Sequence, residues 1–311
     1  MLISVLVITF NHERFVSAAL DGILAQAVDA DLEIVVGDDR STDRTREILV
    51  AYRDRHPGIF RLLLREKNVG LVRNFGETLG ACRGRYVAIC EGDDFWTSPD
   101  KLRRQRDVLE GHPECSACFH NVDVIYDDGR PPHLFHAHPL EKAIFTLEDV
   151  LTWHFIPTPS TMFRTGLFSG LPDWYRSMPM GDWPLHVLNA QHGPIAYLDE
   201  VLAAYRIHGG GAWSGQGRSA TLATTLRAAE IMAPHLDRTH EKILRNRAAR
   251  WERELASIHY TEGRYAEAFR HARSSMKRAS GRGYRRALSL SVKSAALMAH
   301  RLLFRQGEPS K

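Results

Sequence analysis

Four short apolar runs, each closed by polar residues, alternate with stretches of helical periodicity through the front of the chain. LISVLVIT (Leu2 to Thr9) is continuously apolar, as a parallel strand covered on both faces must be. LEIVVG (Leu32 to Gly37), FRLLL (Phe60 to Leu64) and RYVAIC (Arg85 to Cys90) follow, each leaving room for one helix before the next. Helices are predicted from about Phe15 to Ala27, from near Ser41, and after Ser98-Pro99-Asp100, read as N-cap, N1 and N2. Repeated βα units of this length predict an α/β fold with an open, mostly parallel sheet flanked by helices. In such sheets ligands bind outside the carboxyl ends of the strands. The residues to examine are therefore Thr9 and Asn11, Asp38 and Asp39, Asn68 and Gly70, and Glu91, Asp93 and Asp94.

The remainder divides by composition. Residues 115–215 are rich in Pro, Gly, Trp and His, and predict one or two antiparallel strands with loops closing over the site. From about Ala220 the chain reads helical, and LASIHYTEGRYAEAFRHA (Leu255 to Ala272) resembles one tetratricopeptide helix pair. The expected organisation is one domain over 1–217, in two parts (1–114 and 115–217), and a helical region over 218–311. Charge follows the same division. Residues 1–217 carry 21 Lys+Arg against 29 Asp+Glu, a net −8, and residues 218–311 carry 20 against 8, a net +12, which gives the whole chain its +4. An acidic front and a basic tail imply two tasks, and the tail's charge suits phosphate in some form.

The opening residues MLISVLVITFNHE lack a basic region and a small-residue cleavage site, so they fit a buried strand rather than a signal peptide. No stretch approaches the roughly 20 apolar residues of a spanning helix. A cytoplasmic location is expected. RALSLSVKSAALMAHRLLFRQ (Arg286 to Gln306) is basic and amphipathic, a candidate for peripheral contact with an anionic inner-membrane face, for homo-oligomer formation, or for packing on the core. Cys115 and Cys118 form a CxxC, but the surrounding alternation reads as a strand, in which positions three apart point to opposite faces. A zinc site is therefore not expected there.

Two constellations carry chemistry. EGDDFW (Glu91 to Trp96) places adjacent carboxylates directly after a strand. Their mutual repulsion makes joint burial costly without a cation, and hard oxygen ligands suit Mg²⁺ or Mn²⁺; a solvated acidic turn is the plainer alternative. GDDRSTDRT (Gly37 to Thr45) repeats the arrangement of strand, carboxylates and helix. An aspartate there can accept the N–H of a pyrimidine, and the helix start offers backbone donors. Helix capping by Ser41, Thr42 or Asp43 explains part of that motif without any ligand.

TFNHERFVSAALDGILAQ, GDDRSTDRT, NVGLVRNFGETLGACRGRYVAICEGDDFWTSPDKL, GDWPLHV and YRIHGGGAWS, in this order, resemble the family 2 glycosyltransferases of GT-A fold. That resemblance spans residues 1 to about 215 and implies an inverting enzyme with a nucleotide-sugar donor (UDP-, dTDP- or GDP-linked) and Mn²⁺ or Mg²⁺. It makes 1–217 a GT-A catalytic domain, with 1–114 its nucleotide-binding half and 115–217 its acceptor-binding half. It assigns the nucleotide to Thr9, Asn11, Asp39, Arg73 and Asp93, and the metal to Asp93, Asp94 and His208. Glu91 stands where the family's first metal-motif aspartate is usual. Asp182, in MGDWPLH, matches the general base; many relatives carry Glu-Asp where this chain has Gly181-Asp182. Glu91, Trp183 and Trp213 are candidates for contacts with acceptor or sugar, the tryptophans through their ring faces. The implied acceptor is a saccharide or a lipid-linked sugar, with a role in surface polysaccharide or glycoconjugate synthesis.

Rival functions fare worse. A sugar nucleotidyltransferase or a Rossmann dehydrogenase wants a glycine-rich loop after the first strand, and TFNHERF has no glycine. A non-catalytic nucleotide-binding or scaffold protein could use the basic tail, but gives no reason for Asp93, Asp94 and Asp182 together. The tail carries no nucleic-acid-binding motif, so no nucleic-acid partner is expected.

Overall fold

The computed structural model describes residues 1–152, 154–211, 217–278 and 281–305. Two compact units are present, Met1–Gly215 and Gln216–Lys311.

The first unit opens with the expected alternation: β1 (Leu2–Thr9), α1 (Val16–Leu24), β2 (Asp31–Asp38), α2 (Thr45–Arg55), β3 (Phe60–Leu64), α3 (Leu71–Leu79) and β4 (Tyr86–Ile89). After it come β5 (Phe95–Trp96), α4 (Lys101–Gly111), β6 (Ala117–Tyr126), β7 (His133–Leu134), β8 (Ile144–Phe145), α5 (Leu147–Thr152), β9 (Met162–Arg164), α6 (Asp182–Ala190) and β10 (Ile195–Ile207). All the strands join one sheet, ordered β3-β2-β1-β4-β9-β6-β10-β5, with β7 on β6 and β8 on β10. β1 runs parallel to both β2 and β4. The chain thus winds outward from β1 to β3 and then returns to β1's other edge as β4. That reversal is a switch point, where the loops leaving two neighbouring strands diverge and open a crevice. β1 is buried from Ile3 to Thr9, and its side chains pack with those of α1 (Val16, Ala19, Leu20, Ile23) in one core.

Two helix starts and the strand directions of the middle region differ from the sequence expectation. α2 starts at Thr45 rather than near Ser41, because residues 38–44 brace loops: Asp38 accepts from the Ser41 hydroxyl and amide, and the Thr42 amide donates to Asn11 Oδ1 at 2.8 Å. α4 has Asp100 as N-cap instead of Ser98, since the Ser98 hydroxyl is taken by the Asp100 amide at 3.2 Å, inside the turn before the helix. The middle region is not simply antiparallel. β9 is antiparallel to β4 and β6, but the long pair β6 and β10 runs parallel.

The second unit contains α7 (Arg218–Met232), α8 (Arg238–Thr261), α9 (Tyr265–Arg278) and α10 (Gly281–Arg305). Asp237 caps α8 by accepting from the Thr239 and His240 amides. α8 and α9 form an antiparallel pair around Gly263, whose φ of +74° suits a residue without Cβ. Leu255, Ala256, Ala268 and Ala272 are buried, and Glu252 joins the two helices through His271 and Ser274, both at 2.6 Å. No described helix is long and apolar enough to cross a membrane.

Candidate active site

The crevice beside β1 and β4 is assembled from loops that brace one another. The His12 amide donates to Thr45 Oγ1, the Asn11 amide to Ser41 Oγ and the Glu13 amide to Asp43, while Glu13 accepts from the Arg44 amide. Asn11 adopts φ +57°, a conformation that asparagine tolerates better than most residues. After β4, the EGDD turn folds back over the end of β1. A Cβ added at Gly92 would lie 2.9 Å from Thr9 Cβ and Oγ1 and 3.0 Å from His12 Nδ1. Only a glycine lets the acidic turn approach β1 this closely, so the second residue of EGDD is steric in purpose.

Glu91, Asp93 and Asp94 each offer a carboxylate oxygen within 4.8 Å of the others; His12, Asp93 and His208 form a second set within the same limit. Asp93 is common to both. Its Oδ2 lies 3.0 Å from His208 Nε2 and 3.7 Å from His12 Nε2. Burial would raise its pKa, but the His208 hydrogen bond and the charge of His12 outweigh that and bring it below the ordinary value. Glu91 and Asp94 go the other way. Burial, reinforced by Asp93 in both cases, pushes each well above the usual carboxylate range. Asp94 is 1% exposed; Oδ1 accepts from the Arg206 amide at 2.8 Å, while Oδ2 is buried with no hydrogen-bond partner. A buried, unpartnered carboxylate oxygen facing two other carboxylates fits a divalent cation, because a cation supplies the missing partner and the missing charge together. The three-carboxylate set suits Mg²⁺ or Mn²⁺, and the two histidines add nitrogen donors that favour Mn²⁺.

Asp182 is the first residue of α6, and Gly181 is the N-cap. Its Oδ2 accepts from His154 Nε2 at 3.1 Å, with side chains 22% and 29% exposed. Burial raises the Asp182 pKa in isolation, but the charge and hydrogen bond of His154, with help from His186, hold it far below the carboxylate range. His154 is raised in return, Asp182 overcoming the opposing effect of burial. His186, one turn further along α6, is drawn down by burial to about 4 and therefore stays neutral. Asp182 also lies near enough to contribute to the upward push on Glu91. The acidic cluster and the Asp182–His154 pair thus feel one another across one crevice.

The other expected site residues are placed as follows. Thr9 is buried at the end of β1 with its hydroxyl oxygen unpartnered, facing the EGDD turn. Asn11 uses its side-chain oxygen on the Thr42 amide. Asp39 accepts from the Val69 amide at 2.7 Å and the Gly70 amide at 2.9 Å, so it holds the NVGL loop that leads into α3. Gly70, at φ +87°, turns that loop. Arg73 points outward on α3, pairs with Glu77 at 2.7 Å and is 59% exposed. Trp183 departs from the ring-stacking expectation. It is 2% exposed, and its indole N–H donates to the Val150 carbonyl at 2.9 Å, so the ring fills the core instead of lining a sugar site. Trp213 lies outside the described residues.

Three more side chains come to the site; sequence reasoning passed over His12 and His154, and read Arg206 only as a cation flanking His208 in an anion-facing loop. His12 stands beside Asn11 in a motif already noted, and its proximity to a strand end was the available signal. Arg206 donates from its amide to Asp94 and from Nε to the Asp93 carbonyl at 2.9 Å, stacking between Phe15 and Phe95. His154 sits in an irregular stretch between α5 and β9, 28 residues before its partner, and no local pattern marks it.

A model of the family described as Glycosyl transferase family 2 matches residues 4–171. An uncharacterized protein of Mycobacterium tuberculosis, Rv1520, is 42% identical over 212 residues, covering 68% of this chain but only 60% of that protein. A putative teichuronic acid biosynthesis glycosyltransferase, TuaG of Bacillus subtilis, is 30% identical over 210 residues, covering 66% of this chain and 79% of TuaG. Among solved structures, S. aureus TarS (residues 1–349), in complex with UDP-GlcNAc, superposes with a TM-score of 0.66 at 17% identity, over 100% of this chain and 93% of that one. At that identity the likeness shows the fold, the GT-A arrangement that the ordered motifs implied.

Proposed function

The chain belongs to glycosyl transferase family 2, and from that premise we propose that it is an inverting, metal-dependent glycosyltransferase. It moves a sugar from a nucleoside-diphosphate sugar to a hydroxyl of a saccharide or lipid-linked acceptor, in surface polysaccharide or glycoconjugate synthesis. The observation that carries this reading is the pair of oppositely tuned carboxylate groups at one crevice. Asp182 is kept ionised by His154 while Glu91 and Asp94 are crowded against Asp93. Environments that push titratable groups apart in this way mark acid–base assignments.

Thr9, Asn11 and Asp39 would face the nucleotide from the ends of β1 and β2, with Arg73 beside them. Asp39 keeps a lone pair on each oxygen beyond those spent on Val69 and Gly70, enough to accept an N–H from a base. Asp93 and Asp94, with Glu91 and His208 or His12, would hold Mn²⁺ or Mg²⁺. A bound cation of this kind stabilises the charge on the departing diphosphate. Arg206 fixes the acidic turn by gripping both Asp94 and the Asp93 carbonyl.

Transfer is an in-line displacement at the anomeric carbon. The acceptor oxygen forms the new bond on one face as the bond to the diphosphate oxygen breaks on the other, and the configuration inverts. Asp182 takes the acceptor hydroxyl's proton as that bond forms. His154, bonded to Asp182 Oδ2, orients the carboxylate and keeps it deprotonated until then.

A transfer assay tests this. Because TarS was captured with UDP-GlcNAc, UDP-sugars are the first donors to supply, with glycan and polyprenyl-linked acceptors. Nucleotide release and inverted product are expected with Mn²⁺ or Mg²⁺ present, and both should cease in excess EDTA. Full turnover in EDTA would refute the metal assignment, and a product of retained configuration would refute the single displacement.

A further inference from the structure

The second unit carries a feature that the transferase reading does not use. A cavity of about 420 Å³ opens between α8 and α10. Each helix supplies it through the same spacing. Arg250, Arg253 and Ser257 project from α8, and Arg286, Ser289 and Lys293 from α10; i, i+3 and i+7 share one helical face. Four cations and two hydroxyls therefore converge from two walls. The one acid in the lining, Glu254, accepts from Arg218 Nε and Nη2 at 2.9 and 2.7 Å, so its charge is already engaged. Among the described residues, none of the four cations has an ion-pair partner, whereas Glu230, Glu241, Glu252 and Glu262 each pair with another cation of this unit.

From this convergence we infer that the groove between α8 and α10 is a binding site for a multiply charged phosphate group, held by Arg250, Arg253, Arg286 and Lys293. Arginine forks match the oxygens of a phosphate in pairs, and serine hydroxyls can donate to the oxygens that remain. The volume falls within the range of small-ligand sites and admits a diphosphate or a phosphorylated headgroup. Like charges gathered without counter-ions destabilise the folded chain, and an anion relieves them. In keeping with this, burial, then the charges of Arg286 and Arg250, lower the Arg253 pKa. No aromatic side chain lines the groove among the described residues, so bases of a single-stranded nucleic acid would find nothing to stack on.

The ligand's chemistry is common to a soluble phosphorylated molecule and a phospholipid surface, and two probes separate these sources. Inorganic pyrophosphate is titrated calorimetrically into the full chain with excess UDP present to occupy the donor crevice. Phosphatidylglycerol vesicles are co-sedimented with the full chain and compared with phosphatidylcholine vesicles. At least one anionic probe is expected to bind the wild type, weakening as salt rises. Arg253→Gln and Arg286→Gln should each weaken binding by roughly tenfold while leaving donor turnover unchanged. Both relieve repulsion and should not lower the thermal midpoint. Glu254→Gln should tighten binding, since it removes the groove's negative charge. Pyrophosphate binding alone assigns a soluble ligand, and vesicle binding alone assigns a lipid headgroup. If neither probe binds, or if the Gln variants bind as the wild type does, the site does not exist. A single-stranded RNA that binds more tightly than either probe would also overturn it.

Discussion

Replacing Asp182 with Asn isolates the proton-accepting role from the structural one. Asn has the same shape, and its amide oxygen can still accept from His154 Nε2, which lies 3.1 Å from Asp182 Oδ2. What it cannot do is take the acceptor's proton. A positioned base is worth about 10²–10⁴ in rate, or roughly 2.7–5.5 kcal/mol on the barrier. Transfer should fall by that factor while nucleotide affinity and Mn²⁺ response stay near normal, because Asp182 is in neither candidate ligand set and its charge is the smallest of the effects on Glu91.

A pH signature accompanies the loss. The folded pKa of Asp182 is depressed, so its contribution to stability is present above the unfolded value of about 4 and is lost as pH falls through the folded value. The folded pKa of His154 is raised, so its contribution is complete below about 6.5 and is lost as pH rises through the folded value. The pair therefore stabilises most between about pH 4 and 6.5. Asp182→Asn keeps the hydrogen bond but removes its charge, so it should remove about 1 kcal/mol there, the difference between a charged and a neutral hydrogen bond, and flatten the profile. Initial transfer rates, nucleotide titration and thermal midpoints across pH check the three parts side by side. Transfer within about tenfold of wild type would place the base elsewhere and undo the acceptor-side assignment.

Two further substitutions probe the donor side. Asp94→Asn keeps an acceptor for the Arg206 amide but removes the unpartnered anionic oxygen; the rise in thermal midpoint that Mn²⁺ causes in the wild type should vanish, and an undiminished rise would show that the ion binds elsewhere. Asp39→Ala deprives the Val69 and Gly70 amides of their acceptor, so it should lower stability by about 1–3 kcal/mol and weaken nucleotide binding together. Urea unfolding and nucleotide titration read both, and unchanged stability would refute the bracing role.

Much of the catalytic unit was legible from the chain alone because its signals are local. A continuous apolar run names a doubly covered strand wherever it ends up, and β1 and β3 match the predicted spans to the residue. The acidic turn after β4 and the order of motifs needed no knowledge of contacts. Helix starts were less legible, since Ser41 and Ser98 have the chemistry of caps but spend their hydroxyls inside the turns that precede the helices. The same holds for Trp183, whose amphipathic ring suits a sugar or a core equally until its surroundings are known.

What the tertiary structure decided is which distant side chains share a dielectric environment. His208 reaches Asp93 across 115 residues and Arg206 reaches Asp94 across 112; His154 finds Asp182 from a stretch with no periodicity. The sequence determined that carboxylates would stand at the strand ends, because backbone hydrogen bonding and apolar periodicity put them there. It could not determine their charge states, because a carboxylate's pKa depends on burial and on partners brought close only by folding. Asp182 and Glu91 are alike as isolated carboxylic acids, and it is the neighbours supplied by the fold that drive one down and the other up.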